Sequence, residues 1–166
     1  AYAAWDEGAL NLAVVVIKAD LRFRPGDAPP LRLDNETDDI HSDGLQIYVG
    51  EAGEGAGSGG YLIVPDPANR GVRVRRTGDT NGDARAVRGA WRRTDDGYCV
   101  TVALPWPAGA TPHVGGRVAF DLIINELLPG SVRRSGQLVW SGGNGWIWLR
   151  GDRQDPQRWG ILELIG

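Results

Sequence analysis

Along this chain, apolar and polar residues alternate in short runs separated by turn-forming residues. No segment of 18 or more residues keeps the recurrence of an amphipathic helix, so strands are expected throughout. AYAAWDEGALNLAVVVIKAD predicts a hairpin, with a short strand, a turn at Asp6-Glu7-Gly8 and a long strand. In the long strand Leu10, Leu12, Val14 and Val16 share one face, and Val15 and Ile17 the other. This strand is therefore expected to be central and covered on both sides. GLQIYVG (44–50) alternates Leu45, Ile47 and Val49 against Gln46 and Tyr48. EAGEGAGSGG (51–60) reads as a connector before the strand YLIVP, and GVRVRR (71–76) as a strand with one wet face. ARAVRGAWRRTDDGYCVTVALPW is the strongest hairpin, turning at Asp95-Asp96-Gly97 with Tyr98, Val100, Val102 and Leu104 on one face. GRVAFDLIINE repeats the pattern with Val118, Phe120, Leu122 and Ile124, and GQLVWS, GWIWLR and WGILELI supply three more candidates.

About ten short strands with turns between them predict an all-β fold, an antiparallel sandwich of jelly-roll type. No repeat of fixed period and no dividing linker is evident, so residues 1–166 read as one domain. A chain of this length buries roughly two thirds of its unfolded surface without disulfide help. It holds one cysteine, Cys99, so no internal disulfide can form. It lacks an initiator Met and opens inside a strand pattern, and is expected to be part of a larger protein. No apolar run approaches membrane-span length. The net charge of −3 gives no global field to draw in nucleic acid. Seventeen arginines against one lysine scatter along the chain, which suits a GC-rich codon bias better than a phosphate site.

Two acidic segments could hold a cation. DNETDDIHSDG (34–44) carries Asp34, Glu36, Asp38, Asp39 and Asp43, hard oxygen donors that suit Ca²⁺, although a solvated acidic loop has the same composition. It is not an EF-hand loop, because Asp39 stands where that loop needs glycine and Leu45 where it needs glutamate. GDTNGD (78–83) has alternating oxygen donors, but reads more simply as a turn. Catalytic machinery is hard to find. His41 and His113 lack partners for a triad or a zinc site, and the strand acids Asp121 and Glu163 are expected to face solvent. The chain is therefore expected to be noncatalytic.

Four of the seven tryptophans fall in WSGGNGWIWLRGDRQDPQRWG (140–160). In GWIWLR, Trp146 and Trp148 share one strand face and Ile147 and Leu149 the other, so the aliphatic pair can seal a core while the indoles face a ligand. Flat aromatic rings stack on sugars, and Arg150 and Arg153 would add a hydrogen-bonding rim. Trp159 and His41 complete the ligand-binding candidates, while Trp5, Trp91 and Trp140 are expected in the core.

The ordered segments AAWDEGALNLAVVV, DDIHSDGLQIYV, GYCVTVALPW, GGRVAFDLIINE and DPQRWGILEL resemble the family 9 carbohydrate-binding modules, which are appended to xylanases and related enzymes. The resemblance spans nearly the whole chain. It implies a calcium-stabilised sandwich that grips sugar chain ends between two tryptophans, a glycan or polysaccharide partner, and an extracellular or periplasmic setting. The two family tryptophans fall at Ile40 and Arg153 here, and Trp146 or Trp148 is placed to replace one wall. A related branch binds heme through Met or His, and the absence of Met argues against heme. The rival expectation is a protein-interaction or scaffolding domain that uses an exposed Trp/Arg patch on the same sandwich.

Overall fold

The computed structural model describes residues 1–33, 37–51, 58–77, 83–106, 109–142 and 158–166. Ten strands lie among them: β1 (Tyr2–Trp5), β2 (Ala9–Ile17), β3 (Gly44–Glu51), β4 (Ser58–Pro65), β5 (Val72–Arg76), β6 (Arg88–Arg93), β7 (Gly97–Pro105), β8 (Arg117–Glu126), β9 (Gly136–Val139) and β10 (Gly160–Glu163). They form two antiparallel sheets. The first has the order β1-β2-β7-β6; the second runs β10-β8-β3-β4-β5, with β9 also pairing β8. The two sheets make a β-sandwich.

Alternation explains the packing. Leu10, Leu12 and Val14 of β2 and Tyr98, Val100, Val102 and Leu104 of β7 point inward from the first sheet. Leu45, Ile47 and Val49 of β3, Tyr61 and Ile63 of β4, and Val118, Phe120 and Leu122 of β8 meet them from the second. Each hairpin turn read from the sequence is present. Asp6 donates its backbone N–H to Ala9 O at 3.0 Å, and Thr94 donates to Gly97 O at 3.0 Å. At Gly97 a Cβ would sit 1.9 Å from the Val16 carbonyl oxygen, so β7 can begin this close to β2 only with glycine.

Three expectations need correction. β2 is central but not covered on both sides: Val15 is 45% and Ile17 77% exposed, because nothing among the described residues packs over the outer face of the first sheet there. The connector 51–60 is shorter than read, since β4 begins at Ser58, where the ladder to Gly50 extends through the glycines. Trp140 is 50% exposed rather than core, touching Phe120 edge-on with ring centroids 5.5 Å apart. Trp5 and Trp91 do pack against the core, each with its indole N–H bonded to a backbone carbonyl, of Ile165 and Asp66 respectively. No helix among the described residues is long and apolar enough to cross a membrane.

Candidate functional site

The outer face of the second sheet carries the chemistry. On β3 and β8 the inward positions are aliphatic or aromatic, so the opposite parity turns Gln46, Tyr48, Asp121 and Asn125 outward. The ladders set these side chains in rows: Gly44 beside Asn125 and then Gln137, Gln46 beside Ile123 and then Val139, Tyr48 beside Asp121. Asn125 is the centre of an amide cluster. Its Oδ1 accepts from Gln46 Nε2 at 3.0 Å, Arg134 Nη1 at 3.0 Å and Gln137 Nε2 at 3.1 Å. The Tyr48 hydroxyl donates to Gln46 Oε1 at 3.1 Å. Gln46, Asn125 and Arg134 are all buried, yet Asn125 Nδ2 has no hydrogen-bond partner among the described residues. A buried donor without a partner is costly, and a hydroxyl oxygen arriving there would satisfy it.

Asp121 is wholly buried, which corrects the expectation that it faces solvent. Its Oδ1 accepts from the N–H groups of Leu122 and Ser141, and its Oδ2 from the Ser141 hydroxyl at 2.8 Å. Its burial follows from the segment after β9 folding back across this face. Trp159 is also buried here, tilted against Tyr48 with ring centroids 5.4 Å apart and packed with Ala119 and Ile123. It serves as an apolar side of the face rather than as an exposed platform. His41 is buried and its Nδ1 accepts the Arg134 backbone N–H at 3.3 Å. Ile40 lies on Leu62 and Val64 of the same face. Trp146, Trp148, Arg150 and Arg153 lie outside the described residues.

The acidic segment divides its charges among three places. Asp38 and Asp39 open a 3-10 turn of helix, Asp38–Ile40. Asp38 pairs with Arg24 at 3.3 Å and accepts the Leu31 N–H. Asp39 is gripped by Arg73 Nη2 at 3.0 Å and by Arg75 Nε. Burial alone would raise the Asp39 carboxyl, but the hydrogen bonds and charges of Arg75 and Arg73 outweigh it and hold the group below the ordinary carboxylate value. Asp43 pairs with Lys18 at 2.9 Å. Among the described residues no three acidic, histidine or cysteine side chains converge as metal ligands, and Asp38, Asp39 and Asp43 each pair with a base. Asp34 and Glu36 lie outside the described residues, as do Asp79 and Asn81 of the second acidic segment; Asp83 binds Arg85 in a local turn.

Residues 3–166 match the family model described as carbohydrate family 9 binding domain-like. The chain belongs to that family. No curated protein matches the sequence. Among solved structures, this family 9 domain superposes on a family 9 carbohydrate-binding module from Caldicellulosiruptor kristjanssonii in complex with cellotriose. The TM-score is 0.70 at 20% identity, over 99% of this chain and 73% of that one. A family 9 carbohydrate-binding module from Caldicellulosiruptor kristjanssonii in complex with glucose gives a TM-score of 0.68 at 20% identity, over 99% of this chain and 74% of that one. At this identity the likeness establishes the fold.

Within the family 9 domain, Gln46, Tyr48, Asn125, Arg134 and Gln137 were not singled out by sequence reading. The available signal was an amide at an outward position in two otherwise apolar strands. It marks a site only once those strands are known to be neighbours.

Proposed function

We propose that the domain is a noncatalytic carbohydrate-binding module, and that the outer face of the second sheet receives the glycan. The observation that carries this reading is the match of residues 3–166 to the carbohydrate family 9 binding domain-like model; the side-chain amides of Gln46, Asn125 and Gln137 lie on this face. Sugar hydroxyls both donate and accept, and side-chain amides answer both needs. Family membership and the sugars bound in the two superposed structures support the same class of ligand. Trp146 and Trp148 supply aromatic stacking on the glycan in our reading, with Arg150 and Arg153 adding hydrogen bonds. Attachment to a larger exported protein accords with the way modules of this family are used.

The noncatalytic reading rests on membership of a family of binding domains. His41 is buried against the Arg134 backbone, and His113 is exposed with its Nδ1 3.0 Å from the Thr111 carbonyl oxygen. Calorimetric titration with cellotriose, repeated with Asn125→Ala, tests the proposal. Measurable affinity that falls at least tenfold in the variant supports it, and no heat with any of a broad glycan panel overturns it.

One observation favours the rival, a protein-interaction domain. The outer face of the first sheet exposes Tyr2, Val15 and Ile17 beside a floor of small residues, Ala13, Ala90, Thr101 and Ala103. Copurification of a partner lost on Val15→Asp and Ile17→Asp substitution, with no glycan bound, would favour that reading.

A further inference from the structure

Strand β8 receives both ends of one connection. Trp140 donates its backbone N–H to the Leu122 carbonyl oxygen at 2.9 Å, and Gly160 is the ladder partner of Phe120. The chain thus departs from β8 at Ser141, beside Asp121, and rejoins it at Gly160, beside Phe120. The connection between them, 143–157, carries Trp146 and Trp148.

Three contacts fasten these two ends. Asp121 holds the outgoing one: its Oδ1 accepts the Ser141 N–H at 3.1 Å and its Oδ2 the Ser141 hydroxyl at 2.8 Å. Trp159 holds the returning one with its ring against Tyr48, and Tyr48 is the ladder partner of Asp121. Trp140 crosses between the two. Its ring meets Phe120 edge-on and lies so close over Gly160 that a Cβ there would overlap it. Glycine at 160 is what lets the two ends approach. A buried carboxylate is costly unless its bonds are made, and the neighbouring outward residues of β8, Ala119 and Ile123, are apolar. Asp121 is therefore matched to the Ser141 donors rather than required by the strand. The Tyr48 hydroxyl joins this clasp to Gln46, and Gln46 joins it to Asn125 in the amide cluster.

Resting on the reading of this face as a glycan site, we propose that Asp121 is a positioning residue for the ligand. With Ser141, Trp140 and Gly160 it fixes both ends of the 143–157 connection beside the amide cluster, so that Trp146 and Trp148 are brought to the sugar already oriented. Asp121 itself touches no sugar. Its contribution to affinity is the ordering cost removed before the ligand arrives.

The test disturbs the clasp from each end and asks whether the loss runs through the tryptophans. Ser141→Ala removes the hydroxyl that Asp121 holds, and Gly160→Ala pushes Trp140 off the returning end. Affinity for cellotriose and the glycan panel is read on the whole chain at a temperature where urea curves show each variant folded. Ligand-detected NMR covers the weak binders. Each substitution should weaken binding at least about fivefold. In a Trp148→Ala background each should weaken it by less than about twofold, because orienting a side chain matters only while that side chain is present. A loss that persists undiminished in that background marks direct contact or general loosening of the fold, and overturns the proposal. So does wild-type binding that neither substitution changes; the glycan reading then stands. No binding of any glycan by the wild type overturns both.

Discussion

Lys18 Nζ lies 2.9 Å from Asp43 Oδ1 and 3.0 Å from Oδ2, and this pair ties the two sheets together. Lys18 follows β2 of the first sheet, and Asp43 precedes β3 of the second. The same carboxylate accepts the backbone N–H groups of Arg22 at 2.7 Å and Leu127 at 2.8 Å, and Lys18 also donates to the Leu127 carbonyl at 2.7 Å. One buried anion thus organises the ends of three chain segments. Asp43→Ala strands a cation and two amides, and should destabilise the domain by about 3–5 kcal/mol, the range for breaking one partner of a buried pair. Urea denaturation measures it. A loss under about 1 kcal/mol would place Asp43 with ordinary surface pairs.

Asp39 makes a prediction about acid. Its carboxyl is held below the ordinary value in the fold and ionises near 3.9 in the unfolded chain, at about the reference value. Its contribution is fully present above that unfolded value and is lost as pH falls through the lower folded value. Asp39→Asn should therefore cost stability at neutral pH and flatten the acid limb of the stability profile. The difference from wild type should be the same in millimolar Ca²⁺ and in EDTA, because arginines hold this carboxylate. A difference that appears only with Ca²⁺ present would identify Asp39 as a cation ligand.

Tyr98 sits in the core with its hydroxyl unpartnered among the described residues and its ring edge-on to Phe23. Burial, with the nearby Asp43 charge, pushes the phenol well above its usual value. An unfolded tyrosine ionises at about pH 10, so this residue costs nothing below that pH, and stability falls as pH rises above it. Tyr98→Phe should be neutral or stabilising by up to about 1 kcal/mol at pH 7, since it removes a buried hydroxyl that makes no bond. It should also weaken the alkaline loss. Destabilisation by more than about 1 kcal/mol at pH 7 would show that the hydroxyl has a partner, a bound water for example.

The two kinds of tryptophan should separate by experiment. Trp159 is buried against Tyr48, and Trp159→Ala should cost about 3–5 kcal/mol, as deleted core aromatics do. Trp148→Ala should leave stability nearly unchanged and weaken glycan binding by about 2 kcal/mol or more, as loss of an aromatic anchor does. Thermal melts and titrations on both variants decide it. A Trp148 variant that melts as low as the Trp159 variant removes the platform.

The strands, their turns and the inward faces were legible in the sequence because a strand repeats every two residues and each hairpin is closed by residues a few positions apart. Asp95-Asp96-Gly97 and the run Tyr98, Val100, Val102, Leu104 needed nothing from the rest of the chain. The ordered segments also carried the family resemblance. Only the tertiary structure decided where polar groups meet. Gln46 and Asn125 are 79 residues apart, and Lys18 and Leu127 are 109 apart, yet each pair is in hydrogen-bond contact. The density of acids in 34–43 suggested a shared cation, but each described carboxylate is turned to a different base, on β5, after β2 or in the loop at Arg24. Alternation assigns a residue to a face. Which strands lie side by side, and so which outward residues become a site, follows from burying all the inward faces at once.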